Sequence, residues 1–563
     1  MRTWGILGLH VGASRLVRVA GLGLLVVGTS AWSGAREAGT PVAARVVETG
    51  AGLAVEIRPA RQVDGALESD RFVARTLALH VARGEPATPF VAPGPFTATW
   101  TGFLDVPQRD DYVFSAEGRG SFTLEIDGET VLDGSLTEGA SVVGEKVRLK
   151  KGARSLVAKY RTPLSGAGAV RVSWSSRKFA TESIPPTVLL RDLADSDVAV
   201  GEQRRRGRML VATHRCTACH ETDAAGMPEL AMRGPSLVGA GARLEPAFVA
   251  AWIDDPHALR PAARMPQVLP ADPVARATDV ADLTAFLAGL GATEPSSGPG
   301  DGDPRVGARL WGDLGCFSCH GLKADDEGAW IGLAGAAQKF RPGALAAFLQ
   351  EPGRHDPWIR MPDLKLSADE AQHLEAFLRE QGGESRNSAD LGDAERGARR
   401  FVELGCARCH DAGVEPGAAA TPLDALLVSG DWGRGCMAAD ADARGKAPAF
   451  RFDADERQAL TAFAAASGGS LSRDAVADFA TRQLEERRCT SCHVLDGRTA
   501  TWVEREPDLA PLRPAPRPVH GEEHVEVAQL RPALTLVGEK LRLEWLRGFL
   551  AGEIASPRPW LHA

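Results

Sequence analysis

Cys216-Thr-Ala-Cys-His220 spells two cysteines two residues apart with a histidine directly after, and the chain repeats that spelling three more times. The repeats are Cys316-Phe-Ser-Cys-His320, Cys406-Ala-Arg-Cys-His410 and Cys489-Thr-Ser-Cys-His493. Together they use eight of the nine cysteines and leave only Cys436 outside. Their first cysteines, at 216, 316, 406 and 489, lie 100, 90 and 83 residues apart, a spacing for repeated domains rather than a solenoid. A zinc ribbon needs its two C-x-x-C units within about 20 residues, and a thioredoxin-like motif needs a βαβ setting and no histidine. Disulfides in an exported chain do not account for a histidine after every second cysteine.

The chemistry that uses this spelling is covalent attachment of heme. Two thiols on one turn add to the two vinyl groups of the porphyrin, and the next residue points an imidazole at the iron. The sequence thus predicts four covalent hemes c, held by Cys216/Cys219, Cys316/Cys319, Cys406/Cys409 and Cys489/Cys492, with His220, His320, His410 and His493 on the irons. A thioether opposite the histidine raises the potential and closes the iron to other ligands. Arg264-Met265-Pro266 follows His220 by 45 residues to the methionine, and Arg360-Met361-Pro362 follows His320 by 41, so Met265 and Met361 are the candidate sixth ligands. His214, His257, His355 and His373 read as helix-surface or propionate-side residues.

The third and fourth units depart from this spelling. Lys446-Ala-Pro-Ala-Phe aligns with Arg360-Met-Pro-Asp-Leu and puts Ala447 where Met361 stands. Cys436 or Met437, a five-coordinate or water-bound iron, or another residue are the alternatives there. The chain ends in Arg558-Pro-Trp-Leu-His-Ala563, which matches the approach to the other two methionines. The reading favours a ligand just past Ala563, with His562, His520 and His524 as substitutes.

From residue 200 on, helical patterns flank each motif. Opening stretches are Arg305–Leu314 and Glu395–Leu404, and closing stretches are Val280–Leu290, Ser367–Gln381 and Ala454–Ala466. A shared middle pattern lies between, as in Pro235-Ser-Leu237, Ile331-Gly-Leu333 and Pro532-Ala-Leu534. Glu294–Pro304 reads as a linker. Helix, C-x-x-C-H, Met-Pro, closing helix resembles class I cytochrome c. That resemblance implies four mainly α units at 200–293, 303–384, 392–469 and 472–563, the last read as truncated.

Residues 40–190 contain no cysteine and alternate in character: Phe96–Phe103, Tyr112–Phe114, Ser121–Ile126 and Val170–Trp174, with turn signals at Asp127-Gly128, Asp133-Gly134 and Lys151-Gly152. The pattern predicts an all-β antiparallel sandwich. Phe96–Phe103, Asp111-Tyr-Val-Phe-Ser and Leu124-Glu-Ile-Asp-Gly128 resemble the protective-antigen-like sandwich, a module of carbohydrate-active and adhesive proteins. Carbohydrate is the partner that this resemblance implies. The whole arrangement is similar to multi-domain bacterial c-type cytochromes.

Arg2, Arg15 and Arg18 precede the apolar run Val19–Trp32, so residues 1–35 read as a signal peptide and the mature chain as periplasmic or otherwise extracytoplasmic. An uncleaved segment would instead anchor it, and no other run reaches the ~20 apolar residues of a membrane span. A net charge of -8 and the lack of a basic, aromatic-laced cluster exclude nucleic acid as a partner. Electron transfer to unidentified redox partner proteins is the function expected. The alternatives are a heme enzyme working at an open iron in the third unit, and a carbohydrate-binding module that docks the cytochrome to its partner.

Overall fold

The computed structural model describes residues 23–26 (backbone), 46–224, 226–291, 300–322, 331–333, 335–382, 389–429, 432–466, 468–509 and 531–554. Most of the expected export segment, most of the linker, and His520, His524 and His562 lie outside the described residues. Gly23–Val26, inside that expected segment, forms a strand against Val46–Thr49.

An antiparallel β-sandwich occupies the N-terminal part, and its topology turns on one strand. Asp110–Ile126 is a single 17-residue strand where the sequence pattern suggested two. Its first half pairs with Gly168–Ser176 in one sheet, and its second half pairs with Gly152–Arg161 and Glu129–Leu136 in the other. The change of sheet falls at Gly118-Arg-Gly120, where both glycines take positive φ. A Cβ on Gly118 would lie 1.9 Å from the Ala169 carbonyl oxygen, and one on Gly120 would lie 2.4 Å from that of Arg161. Only glycine fits a corner that tight. Inward residues of both sheets, among them Trp100, Tyr112, Phe122 and Tyr160, are 0–2% exposed. Tyr112 stacks on Trp174 at 5.4 Å between ring centres.

Asp127-Gly128 makes the expected tight turn, with φ of 53° and 81°. Asp133-Gly134 does not turn. It lies within the strand Glu129–Leu136, where a register shift opposite Leu124/Glu125 absorbs the irregularity.

The remainder is helical. Ser196–Thr213, Pro304–Asp313, Ala394–Glu403 and Val476–Glu486 lead into the four motifs. The closing helices are Pro273–Gly289, Ala368–Glu380 and Ala454–Ala466. The first starts earlier than its apolar periodicity suggests because Asp272 caps it, accepting from the Ala275 amide at 2.8 Å, with Pro273 as first helical residue. Ser367 and Glu370 form a full capping box on the second. Among the described residues, no helix is long and apolar enough to cross a membrane.

The helices pair in an order the sequence does not reveal. Unit two closes on itself: Pro304–Asp313 packs on Ala368–Glu380 around Trp311, Phe377 and Leu374. Units one and three exchange halves. The opening helix of unit one packs on the closing helix of unit three, burying Val211, Leu230, Phe452, Leu460 and Phe463 in one core. The opening helix of unit three packs on the closing helix of unit one, burying Phe401, Ile253, Leu283 and Leu287 in another. A glycine allows each crossing. A Cβ on Gly207 would sit 2.0 Å from the Ala459 carbonyl, one on Gly397 2.0 Å from that of Asp282, and one on Gly307 2.1 Å from that of His373.

A buried ionic cluster joins the sandwich to the helices. Asp70, fully buried, accepts from Arg205 at 2.5 and 3.2 Å. Arg205 lies over the Phe72 ring at 4.1 Å. Arg208, 1% exposed, reaches Asp474 and Asp478, and Arg482 bonds Glu229 at 3.0 Å.

Candidate heme-binding site

Each motif is one turn of helix, a geometry that sets its two thiols on one side. The turn is reached through a left-handed residue: Arg215, Gly315, Gly405 and Arg488 have φ of 56°, 77°, 76° and 52°. In all four motifs the histidine Nδ1–H meets a backbone carbonyl. The partners are Thr421 for His220 (2.7 Å), Ile331 for His320 (3.2 Å), Pro235 for His410 (2.9 Å) and Pro532 for His493 (2.8 Å). That bond fixes the tautomer and leaves Nε2 free for a metal.

The carbonyl partners repeat the exchange seen in the packing. In unit two, Ile331 and Leu333 amides donate to Cys319 and Gly321 of the same unit. For the motif of unit one, the equivalent amides are Ala420 to Cys219 (3.1 Å) and Leu423 to Glu221 (2.9 Å), both from unit three. For the motif of unit three they are Gly234 to Cys409 and Leu237 to Asp411, each 2.7 Å, both from unit one. A Cβ on Gly234 would lie 2.6 Å from His410 Cε1, so glycine is required there.

Between these halves lies a cavity of about 850 Å³, toward the upper end of cofactor pockets. Its walls include Cys216, Cys219, His220, Cys406, Cys409 and His410, together with Met265 and Cys436-Met437. The Trp252 indole N–H donates to Met265 Sδ at 3.2 Å and orients that sulfur. His214 packs edge-on against Phe450 and Phe452.

The residues fit heme on three counts. Burial pushes the Cys216, Cys316 and Cys406 thiols up to about 12, so thiolates are disfavoured here and neutral thioethers suit the site. Burial pushes His320 down to about 4 and lowers His410, which keeps each imidazole in the neutral form a metal requires. Arginines 215, 243, 260, 264 and 360 line the same cavity, and Arg215 Nε is buried with no hydrogen-bond partner among the described residues. Such cations match the carboxylates that a porphyrin carries on its rim.

The described positions of the predicted ligands differ in kind. Met361 packs against the core of unit two, as do Leu364 and Cys316. Leu269, four residues after Met265, shares a core with Phe401 and Cys406 of the His410 half, although the sequence places that segment in the unit of His220. The Cys436-Met437 loop lies on the His220 side, where Met437 and Cys216 share a core. Sequence reasoning missed Glu486, which accepts from Arg264 at 2.8 and 2.9 Å and stands 3.7 Å from Arg360. The repeated Arg-Met-Pro spelling carried that signal in its arginines. Among the described residues, no group of three or more His, Cys, Asp or Glu side chains could hold a free metal ion.

Comparison with known proteins fits both parts of this description. The family described as PA14 domain matches residues 77–160, and the family described as Cytochrome c matches residues 205–291. A PA14 domain and a cytochrome c domain are present. No curated protein matches the chain. Among solved structures, the chain is similar to an "anti-sigma factor domain-containing protein", with 19% identity and TM-score 0.23 over 26% of this chain and 49% of that one. It thus spans about half the length of that protein. It is also similar to the "PA14 domain of MpAFP Antifreeze protein" (13%, TM-score 0.22, 28% and 96%) and the "PA14 sugar-binding domain from RTX adhesin" (19%, TM-score 0.22, 25% and 98%). These likenesses carry nothing about function. The cytochrome c match supports a heme-based electron carrier with covalent heme c, and the PA14 match is compatible with carbohydrate binding.

Proposed function

We propose that the chain is an exported c-type cytochrome with four covalent hemes, one on each C-x-x-C-H motif, and that it passes electrons between extracytoplasmic redox partners. The supporting observation is that the motifs meet in pairs. Those of units one and three line one cavity, and Cys409 bonds the segment between them through Gly234. Those of units two and four touch directly: Ser318 Oγ lies 3.4 Å from Cys492 Sγ, and Phe317 packs on Trp502 with ring centres 4.5 Å apart. A heme iron supplies a one-electron couple when bound. The chain supplies fixed imidazoles, apolar walls that exclude water, and arginines that hold negative charge. Met265 and Met361 serve as thioether ligands, and the PA14 domain docks the carrier on a carbohydrate-bearing surface or partner.

The test is a pyridine hemochrome assay with intact mass on protein matured in a host competent for c-type heme. Four porphyrins per chain, a signal-cleaved N-terminus and a reversible four-electron titration are expected. Colourless protein without added porphyrin mass refutes the reading. Carbon monoxide binding to the ferrous protein in place of reversible cycling would favour an enzyme.

A further inference from the structure

We infer that two of the heme sites are composite: Met265 of unit one serves the iron held by His410 of unit three, and the loop Cys436-Met437 of unit three faces the iron held by His220 of unit one. The inference rests on the proposed hemes and adds which halves build each site.

Three independent contacts carry it. The histidine carbonyl bonds cross between the units in both directions, with Thr421 for His220 and Pro235 for His410. The amides on either side of those carbonyls cross at matching offsets. The helix pairs cross as well, held by Arg400 to Asp279 at 2.7 Å and Arg396 to Asp282 at 2.7 Å. The Met265-Pro266 segment of unit one and the Ala447-Pro448 segment of unit three then meet back to back: Gln267 and Ala449 exchange both backbone hydrogen bonds, at 3.1 and 2.8 Å. Met265 and Ala447 occupy equivalent places two residues before that bridge, one on each side. The missing thioether therefore belongs to the site of Cys216/Cys219, not to that of Cys406/Cys409. The His410 site has its methionine, presented by Trp252.

The experiment uses the full-length holoprotein. Ferric methionine-ligated heme has a weak near-infrared band, read here in three backgrounds: the intact chain, Cys216→Ala/Cys219→Ala, and Cys406→Ala/Cys409→Ala. With Met265 and Met361 as the two ligands, Met265→Ala should halve the band in the intact chain. It should remove the same amplitude when heme one is absent, and nothing when heme three is absent. The reverse dependence overturns the inference. A second measurement needs no heme spectrum. Arg400→Asp and Asp279→Arg should each lower the melting temperature, and the double variant should restore most of the loss, whereas additive losses overturn the exchange. A hemochrome count below four with rescue by the charge swap would sink the tetraheme reading and leave the exchanged fold standing.

Discussion

Asp70→Ala tests how the sandwich is fixed to the helices. The carboxylate is fully buried, Arg205 bonds both of its oxygens, and Arg205 is itself enclosed by Phe72 and Phe90. Removing one partner from a buried pair costs ~3–5 kcal/mol, because the other charge is left without its partner in low dielectric. Asp478 stands 3.7 Å from Arg205 and takes up part of that charge, which puts the expected cost near the lower end, ~3 kcal/mol. At about 1.4 kcal/mol per tenfold, the population with strand Asp70–Ala74 undocked from helix Ser196–Thr213 rises on the order of 100-fold. The Val73 amide reports that population, since it donates across the interface to Glu202 at 2.9 Å. Native-state hydrogen exchange should show its protection falling by about two orders of magnitude. Asp70→Leu with Arg205→Met should recover most of it, because an apolar pair of similar volume removes both charges. An unchanged Val73 amide in Asp70→Ala, or a double variant worse than the single, refutes the reasoning.

Three further outcomes are expected. At Glu486, burial raises the carboxyl, but the hydrogen bond and charge of Arg264, with Arg360 behind it, outweigh burial and hold it below its ordinary value. Its stabilisation is therefore complete above the unfolded value of about 4.3 and is lost as pH falls through the lower folded one. Glu486→Gln should flatten the acid limb of a melting-temperature profile. Gly397→Ala forces a Cβ to within 2.0 Å of the Asp282 carbonyl, so the helices must part at a cost of about 1–3 kcal/mol, measurable by denaturant melting. Burial, with the nearby positive charge of Arg264, pushes His214 down to about 4. Its stability term is thus intact above about pH 6.5 and falls away toward pH 4, as the unfolded chain takes up the proton first. His214→Gln should lose that slope.

What was legible in the sequence was whatever depends on neighbours along the chain. The motifs, the flanking helices and the Asp127-Gly128 turn depend only on local spacing, whereas the Asp272 cap that starts its helix earlier was not read. The PA14-type strands were visible through alternation, but the single long strand was not, because Gly118-Arg-Gly120 looks like a turn between two strands when it is a corner within one. Asp133-Gly134 failed for the complementary reason: it has turn residues, but cross-strand pairing overrides their local preference. Nothing local to Arg204, Arg205 and Arg208 marks the ion pairs they make. Their acidic partners, Asp70, Asp474 and Asp478, lie between about 130 and 270 positions away, where periodicity carries no information.

The exchange of halves was hidden by the repeat itself. Pro235-Ser-Leu237 and Thr421-Pro-Leu423 can each accept either histidine, since the acceptor is a backbone carbonyl and the donor an imidazole common to both units. What discriminates is long-range: Asp279 and Asp282 on one closing helix face Arg400 and Arg396 on the other unit's opening helix, with Asp282 1% exposed. Those buried carboxylates hold their cations through the exchange, and a buried carboxylate that loses its cation costs several kcal/mol. The same exchange accounts for the shared cavity, because two motifs whose chains cross must lie side by side. Units two and four reach a similar closeness without crossing, through Trp502 against Phe317. Side-by-side motifs therefore arise here from two different kinds of contact, one by exchange and one by packing, and pairing of the C-x-x-C-H turns is the feature they have in common.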